Sequence, residues 1–339
     1  MSTAISSLRR RLRQLLRFDR TEALLFLLDN MIWPILIVAS IVFAALVPVF
    51  SSLGNVRALL YGTTALSAIV LGESLCLLSG HFDLSVGATA GFTAILTALV
   101  LTEWLPGLGG GVGIVLILSV GALIGLINGF SITYIGVNPF LQTLAMLMIL
   151  SGSVKLLSAS ALTGLPESYL YLGDARIGSV PVAIVLMVVL YAVFGVWLKY
   201  SATGRAIYAV GGNEDAAMES GINTTRVVLI VYVFSGMLSA LGGLLYTGFL
   251  GVAPPTIGQN DVFPAFAAAV IGGVSLFGGR GHVVGAAGGV ILLAAVESAL
   301  VLTGVEATAV DVINGLVLLV AIIVYTMEDR IRRRLITNS

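Results

Sequence analysis

Residues 104–154 read WLPGLGGGVGIVLILSVGALIGLINGFSITYIGVNPFLQTLAMLMILSGSV, 51 consecutive positions without an Asp, Glu, Lys or Arg. About 20 apolar residues in a helix cross the ~30 Å hydrocarbon layer of a bilayer. The stretch is therefore too long for one straight span and must turn back on itself. Asn138-Pro139 is the natural break, since the residue before a proline is pushed out of helical geometry. Outward from this stretch the same texture recurs, in apolar runs at 31–50, 58–79, 84–101, 113–135, 138–154, 178–198, 226–250, 263–278, 283–303 and 310–327. These ten runs predict an all-α polytopic membrane protein of about ten transmembrane helices. Composition agrees: 58% of the 339 residues are hydrophobic and 10% charged, against about 25% charged in soluble domains. Little chain is left over for a soluble domain.

The polar inventory excludes several classes of function. Cys76 is the only cysteine, and His81 and His282 are the only histidines. Neither a disulfide framework nor a zinc or haem centre is expected. A phosphate-cradling GxxxxGK[ST] loop needs a lysine followed by a hydroxyl residue, but Lys155 precedes Leu156 and Lys199 precedes Tyr200. The chain is thus expected to bind no cofactor and to perform no ATP chemistry. A transporter built on it would take its engine from a partner. With 17 basic and 17 acidic side chains the net charge is zero, which gives a nucleic-acid partner no electrostatic support.

Where the charges sit sets the topology. Arg9, Arg10, Arg11, Arg13, Arg17 and Arg20 precede the first apolar run. Residues 1–30 read as a basic segment, either a short helix on the membrane surface, with Leu8, Leu12, Leu15 and Leu16 at helical spacing, or a solvated tail. Residues 31–327 form the transmembrane domain and 328–339 a basic tail. An even number of spans puts both termini on one side, together with Lys199, Arg205, Arg226, Arg280 and the tail arginines. Only Arg57, Lys155 and Arg176 fall on the other side, a division of fourteen against three. The positive-inside rule then places both termini in the cytoplasm, in a multi-pass protein of the cell (inner) membrane. The polar loop 199–225 faces the cytoplasm in this topology. The opposite loop, 158–178, is long enough for a short interfacial helix.

Two of the apolar regions are broken alike. Ser79-Gly80-His81-Phe82-Asp83-Leu84-Ser85-Val86-Gly87-Ala88 and Phe277-Gly278-Gly279-Arg280-Gly281-His282-Val283-Val284-Gly285-Ala286 each end in Val-Gly-Ala and a small-residue helix. Ile127-Asn128-Gly129 is echoed by Ile313-Asn314-Gly315. Matching broken segments predict pseudo-symmetric repeats with the pathway near the breaks, which makes His81, Asp83, Asn138, Gly278 and Gly279 candidates. Glycines at helical spacing, Gly121-Gly125-Gly129, Gly87-Gly91 and Gly281-Gly285-Gly289, mark faces where helices pack closely in lipid. Glu73, Asp83 and Glu297 lie in or beside apolar runs, where a bare charge costs at least about 2.5–3.5 kcal/mol. They are either pathway or ion-coupling groups, or hydrogen-bonded anchors of irregular backbone. Asp83 reads best as the anchor of the helix that follows it.

Four stretches carry a resemblance. Gly80 to Gly87, Asn138-Pro139-Phe140 with Thr143-Leu144, Gly204 to Ile222 (GRAIYAVGGNEDAAMESGI) and Ala265 to Gly285 (AFAAAVIGGVSLFGGRGHVVG) are similar to the permease subunits of ribose-type ABC importers. The resemblance spans about 55 to 327. It departs at His81-Phe82, where a glycine and an aliphatic residue are usual. It implies a pore shared with a second permease subunit, as a homodimer or a heterodimer. Two ATP-binding cassette subunits, or one tandem ATPase chain, are implied on the cytoplasmic side. An extracytoplasmic solute-binding protein delivering a monosaccharide or sugar-like solute is implied outside. In that family the stretch matching Gly204 to Ile222 is the coupling segment, whose short helix sits in a groove on the ATPase. Carried over, its contacts are Tyr208, Gly211, Gly212, Asn213, Glu214, Ala216, Ala217, Ser220 and Gly221. Asn213-Glu214 also reads by itself as a helix start, an N-cap followed by a first-turn carboxylate. The rival reading is an ion-coupled secondary transporter using Glu73, Asp83 or Glu297.

Overall fold

The computed structural model describes residues 30–306 and scattered helical positions between 309 and 323. The basic segment 1–29, most of the run 310–327 with Asn314, and the tail 328–339 lie outside the described residues, and with them the expectations placed there. The other nine apolar runs fall on helices. In chain order these are α1 (Ile32–Leu46), α2 (Leu53–Gly62), α3 (Thr64–Leu78), α4 (Val86–Leu99), α5 (Gly110–Phe130) and α6 (Pro139–Leu157). A short helix, α7 (Glu167–Asp174), then precedes a two-residue hairpin, β1 (Arg176–Ile177) and β2 (Val180–Pro181). The rest is α8 (Val182–Tyr200), α9 (Ala202–Gly212), α10 (Glu214–Glu219), α11 (Thr224–Leu250), α12 (Val262–Ile271) and α13 (Val283–Leu302).

Among the described residues six helices are each long and apolar enough to cross a membrane: α4 extended to Trp104, α5 extended to Ile135, α6, α8, α11 and α13. Both extensions are single π-helical turns. The α2–α3 pair makes a seventh candidate, bent by 45°. The runs at 31–50 and 263–278 hold shorter helices, α1 with 15 residues and α12 with 10. The architecture is the all-α polytopic membrane fold that the run pattern predicts.

The long uncharged stretch breaks where proline demands it. Gly136 takes a left-handed φ of +81° and ends the α5 extension. Asn138 then caps α6, its Oδ1 accepting from the N–H groups of Phe140 (3.0 Å) and Leu141 (3.4 Å), with Pro139 at the first helical position. Ring and cap agree there, because proline brings no N–H to satisfy.

α11 is the hub, packed by α3, α4, α5 and α7. Its glycines meet those of α5. A Cβ on Gly125 would overlap the Tyr232 carbonyl oxygen, and one on Gly121 the Gly236 carbonyl oxygen. Where lipid is as apolar as the side chains, such close approach is what makes two helices adhere. The other two small-residue faces are used likewise, Gly87 and Gly91 against Gly258 and Ile257, and Gly285 and Gly289 against Gly272 and Ala268. α7 packs at the end of α11, Gly173 against Gly248, whereas α10 leads into its start. The loops 158–178 and 199–225 therefore lie at opposite ends of the hub helix.

Candidate functional site

The site is assembled around the end of α9. Ser201 caps this helix by accepting from Gly204 N–H at 2.8 Å. Ile207 and Val210 turn inward and are buried. The Tyr208 hydroxyl donates to the Gly281 carbonyl at 2.9 Å, and burial pushes that hydroxyl's pKa above its ordinary value. Gly211 comes so close to the Leu78 carbonyl, at the end of α3, that a Cβ there would overlap it. On its other side a Cβ at Gly211 would stand 2.5 Å from Gly279 N. Gly279 N–H itself donates to the Leu78 carbonyl at 3.0 Å. The two broken segments thus meet each other, and both meet the end of α9. Gly80, Gly278 and Gly279 all take left-handed φ values, +80°, +82° and +70°, which only glycine adopts without strain.

Beyond Gly211 the chain turns outward. Gly212 is exposed, and a Cβ there would meet nothing within 4 Å. Asn213 is extended (φ −165°), and its Oδ1 accepts from Ala216 N–H at 3.0 Å, as the N-cap reading expects. Glu214 and Asp215 fill the first turn of α10, where carboxylates favour the positive end of the helix dipole. Ala217 is buried and pins this short helix. Gly221, at φ +83°, closes it as Ile222 N–H reaches back to the Ala217 carbonyl at 3.1 Å, a left-handed C-terminal cap.

The nine carried-over positions therefore divide. Tyr208, Gly211 and Ala217 face inward and hold the segment. Gly212, Asn213, Glu214, Ala216, Ser220 and Gly221 are exposed. Met218 is 59% exposed beside them. Sequence reasoning passed it over; the signal was a large apolar side chain in a helix otherwise made of acidic residues and alanines.

The remaining candidates separate into two neighbourhoods. Asp83 is buried and its carboxylate takes three hydrogen bonds, from Ser85 N–H (3.0 Å), Ser85 Oγ (2.6 Å) and Ser235 Oγ (2.9 Å). Asn128 on α5 donates to Ser85 Oγ at 3.0 Å, and Gln142 on α6 donates to Asn128 Oδ1 at 3.3 Å. The network ties the first break to α5, α6 and α11. Asp83 does not itself cap α4: Ser85 stands at the N-cap and no side chain caps that helix, so Asp83 acts through its bonds to Ser85 and Ser235. His81 lies in the same break, its Nδ1 2.9 Å from the Ser79 carbonyl. Glu73, on α3, is buried, and neither carboxyl oxygen has a hydrogen-bond partner among the described residues. Glu297 lies elsewhere, on the exposed side of α13 in the electrostatic reach of Asp261 and Tyr246. The structure does not bring the three carboxylates together. Among the described residues no group of three or more His, Cys, Asp or Glu is placed to hold a metal ion.

Residues 55–322 match the family described as branched-chain amino acid transport system / permease component. The chain is 36% identical over 291 residues to the ribose import permease of Bacillus subtilis, covering 85% of this chain and 89% of that one. It is 30% identical over 327 residues to the galactose/methyl galactoside import permease of Haemophilus influenzae, covering 91% and 97%. It is 32% identical over 305 residues to the L-arabinose transport system permease of Escherichia coli, covering 89% and 90%. No solved structure matches the chain.

Proposed function

The chain belongs to this family of transport-system permeases, as a multi-pass inner-membrane subunit of the ribose-type ABC importer kind, and from that premise we propose that it forms the translocation pore for a monosaccharide or sugar-like solute. Its similarity to ribose, galactose and arabinose permeases supports that cargo class. It is a transport subunit rather than an enzyme, and the ion-coupled reading gives way to the ATP-driven one. Systems of this kind work with ATPase and binding-protein partners. The finer arrangement is part of the proposal. Two ATPase subunits, or one tandem chain, dock on the cytoplasmic face, a second permease subunit completes the pore, and both termini face the cytoplasm.

One observation carries the reading. The segment Gly204 to Ile222 presents Gly212, Asn213 and Glu214 outward, while the adjacent Gly211 is wedged against both broken segments. A partner that grips α10 would pull on the joint where α3 ends and where the segment leading to α13 turns. Displacement of that joint would rock the helices that follow the breaks and exchange inward-open for outward-open states. The polar solute would need only a wet, weakly binding route, since tight binding slows release.

Gly212→Arg combined with Glu214→Lys tests it. Both positions are exposed, so the subunit should accumulate in the membrane at the wild-type level. Uptake should fall at least about tenfold, and the ATPase should no longer copurify. Unaltered uptake would overturn the coupling assignment.

A further inference from the structure

A cavity lies beside the joint, on the same side of the bundle as α10, with Tyr208 in its wall. It holds about 770 Å³ and lies between the C-terminal half of α8, the first two turns of α9, the start of α13 and the start of α1. Among the described residues its lining contains Lys199, Arg205 and His282 and no Asp or Glu. The Arg205 guanidinium spends one N–H on the Tyr200 carbonyl, at 2.9 Å. A guanidinium has five such donors, so the others remain to meet an anion. Lys199 Nζ stands 5.4 Å from the centroid of the Tyr200 ring. The helix α13 opens into the cavity through Val283, Val284 and Gly285, and no side chain caps its first turn. Uncapped N–H groups at a helix start add to the attraction for negative charge.

The rest of the wall is apolar. Ala192, Gly195 and Val196 form it on α8. Val196 is 59% exposed and continues into a strip of exposed valines on the same helix, Val185, Val188, Val189 and Val193. Trp33, Tyr200 and Tyr208 also line the cavity, aromatic residues of the type that sit at headgroup depth. Cations at the mouth and an apolar strip leading along a membrane helix are the two halves of an amphiphile's complement. A soluble anion would have no use for the strip, and a neutral lipid none for the cations.

We propose that this cavity holds the phosphate headgroup of an anionic phospholipid from the leaflet on the α10 side, with an acyl chain lying along α8. The headgroup bridges Lys199 and Arg205 to the start of α13. The lipid thereby braces the base from which the coupling segment projects. Basic pockets between membrane helices bind anionic headgroups by the same electrostatics.

Native mass spectrometry of the full chain, released from micelles containing equal phosphatidylglycerol and phosphatidylcholine, reads this directly. The wild type should retain phosphatidylglycerol preferentially. Lys199→Ala should weaken the preference about fivefold, and Lys199→Ala with Arg205→Ala by that factor again. Should the double variant not fold, Gly195→Phe supplies a second approach. A Cβ at Gly195 meets only Val284 and Val283 side-chain carbons, at 3.7 and 3.9 Å, so the ring fills the apolar wall and leaves both cations in place. It should lose the bound lipid. Equal retention of the two lipids by the wild type, an unchanged preference in Lys199→Ala, or wild-type retention by Gly195→Phe would each overturn the proposal. So would complete displacement by millimolar inorganic phosphate, which would make the cavity a site for soluble anions.

Discussion

Gly211 and Gly212 are neighbours with the same side chain and opposite situations. At Gly211 a methyl group would collide with the backbone of α3 and of the second break; at Gly212 it would enter open space. Overpacking against backbone costs about 1–3 kcal/mol, whereas exposed positions of this kind usually lie within about 0.5 kcal/mol of neutral. Gly211→Ala is therefore expected to lower the melting temperature of the purified chain, and Gly212→Ala to leave it nearly unchanged. Thermal unfolding followed by size-exclusion fluorescence checks both, and equal melting points would refute the packing seen at the joint. The sequence alone could not separate the two residues, because a glycine pair carries no side-chain pattern. It did mark Asn213, whose capping role needs only its own residue type and the turn that follows. Glu73 was legible as an anomaly and no further: the fold buries it within electrostatic reach of Asp83, ten residues along the chain and across the break.

At the scale of elements, the first break is held by polar contacts between helices. Asp83 gathers donors from Ser85 and Ser235, and Asn128 and Gln142 extend the chain of bonds to α5 and α6. Asp83→Ala would leave buried donors without an acceptor, at about 1–3 kcal/mol for each one stranded. Asp83→Asn keeps one acceptor oxygen and should lose distinctly less. Guanidinium or heat titration of the two variants measures the gap, and equal losses would remove the network from the account of the break. The break at Asn138 was readable locally, since a cap and a proline act within a few residues. The meeting of the two breaks was not. They are roughly 200 residues apart in the chain, and repeat-like motifs indicate kinship without saying where the copies sit. The run at 263–278, one of the pair around Arg280 that read as short and glycine-broken, holds a helix of 10 residues because the chain leaves helical geometry at Gly272 and Gly273.

For the whole molecule, orientation is the property still open to a direct test. Met218 is exposed on α10, and the only native cysteine, Cys76, is buried. Met218→Cys in an otherwise unaltered chain should therefore react with a membrane-impermeant maleimide in inside-out vesicles and not in right-side-out ones. The reverse pattern would turn the bundle over. What the sequence determined by itself was the membrane class, the positions of nearly all helices and the absence of a P-loop. Those follow from hydrophobic run length, proline and glycine punctuation and residue inventory, all local quantities. What only the tertiary structure decided was the joint of Gly211 with both breaks, the separation of Glu297 from Glu73 and Asp83, and the basic cavity between α8, α9 and α13. Each of these depends on which distant segments share a neighbourhood. In a bundle of uniformly apolar helices, close packing of small residues settles that choice, and hydrophobicity does not.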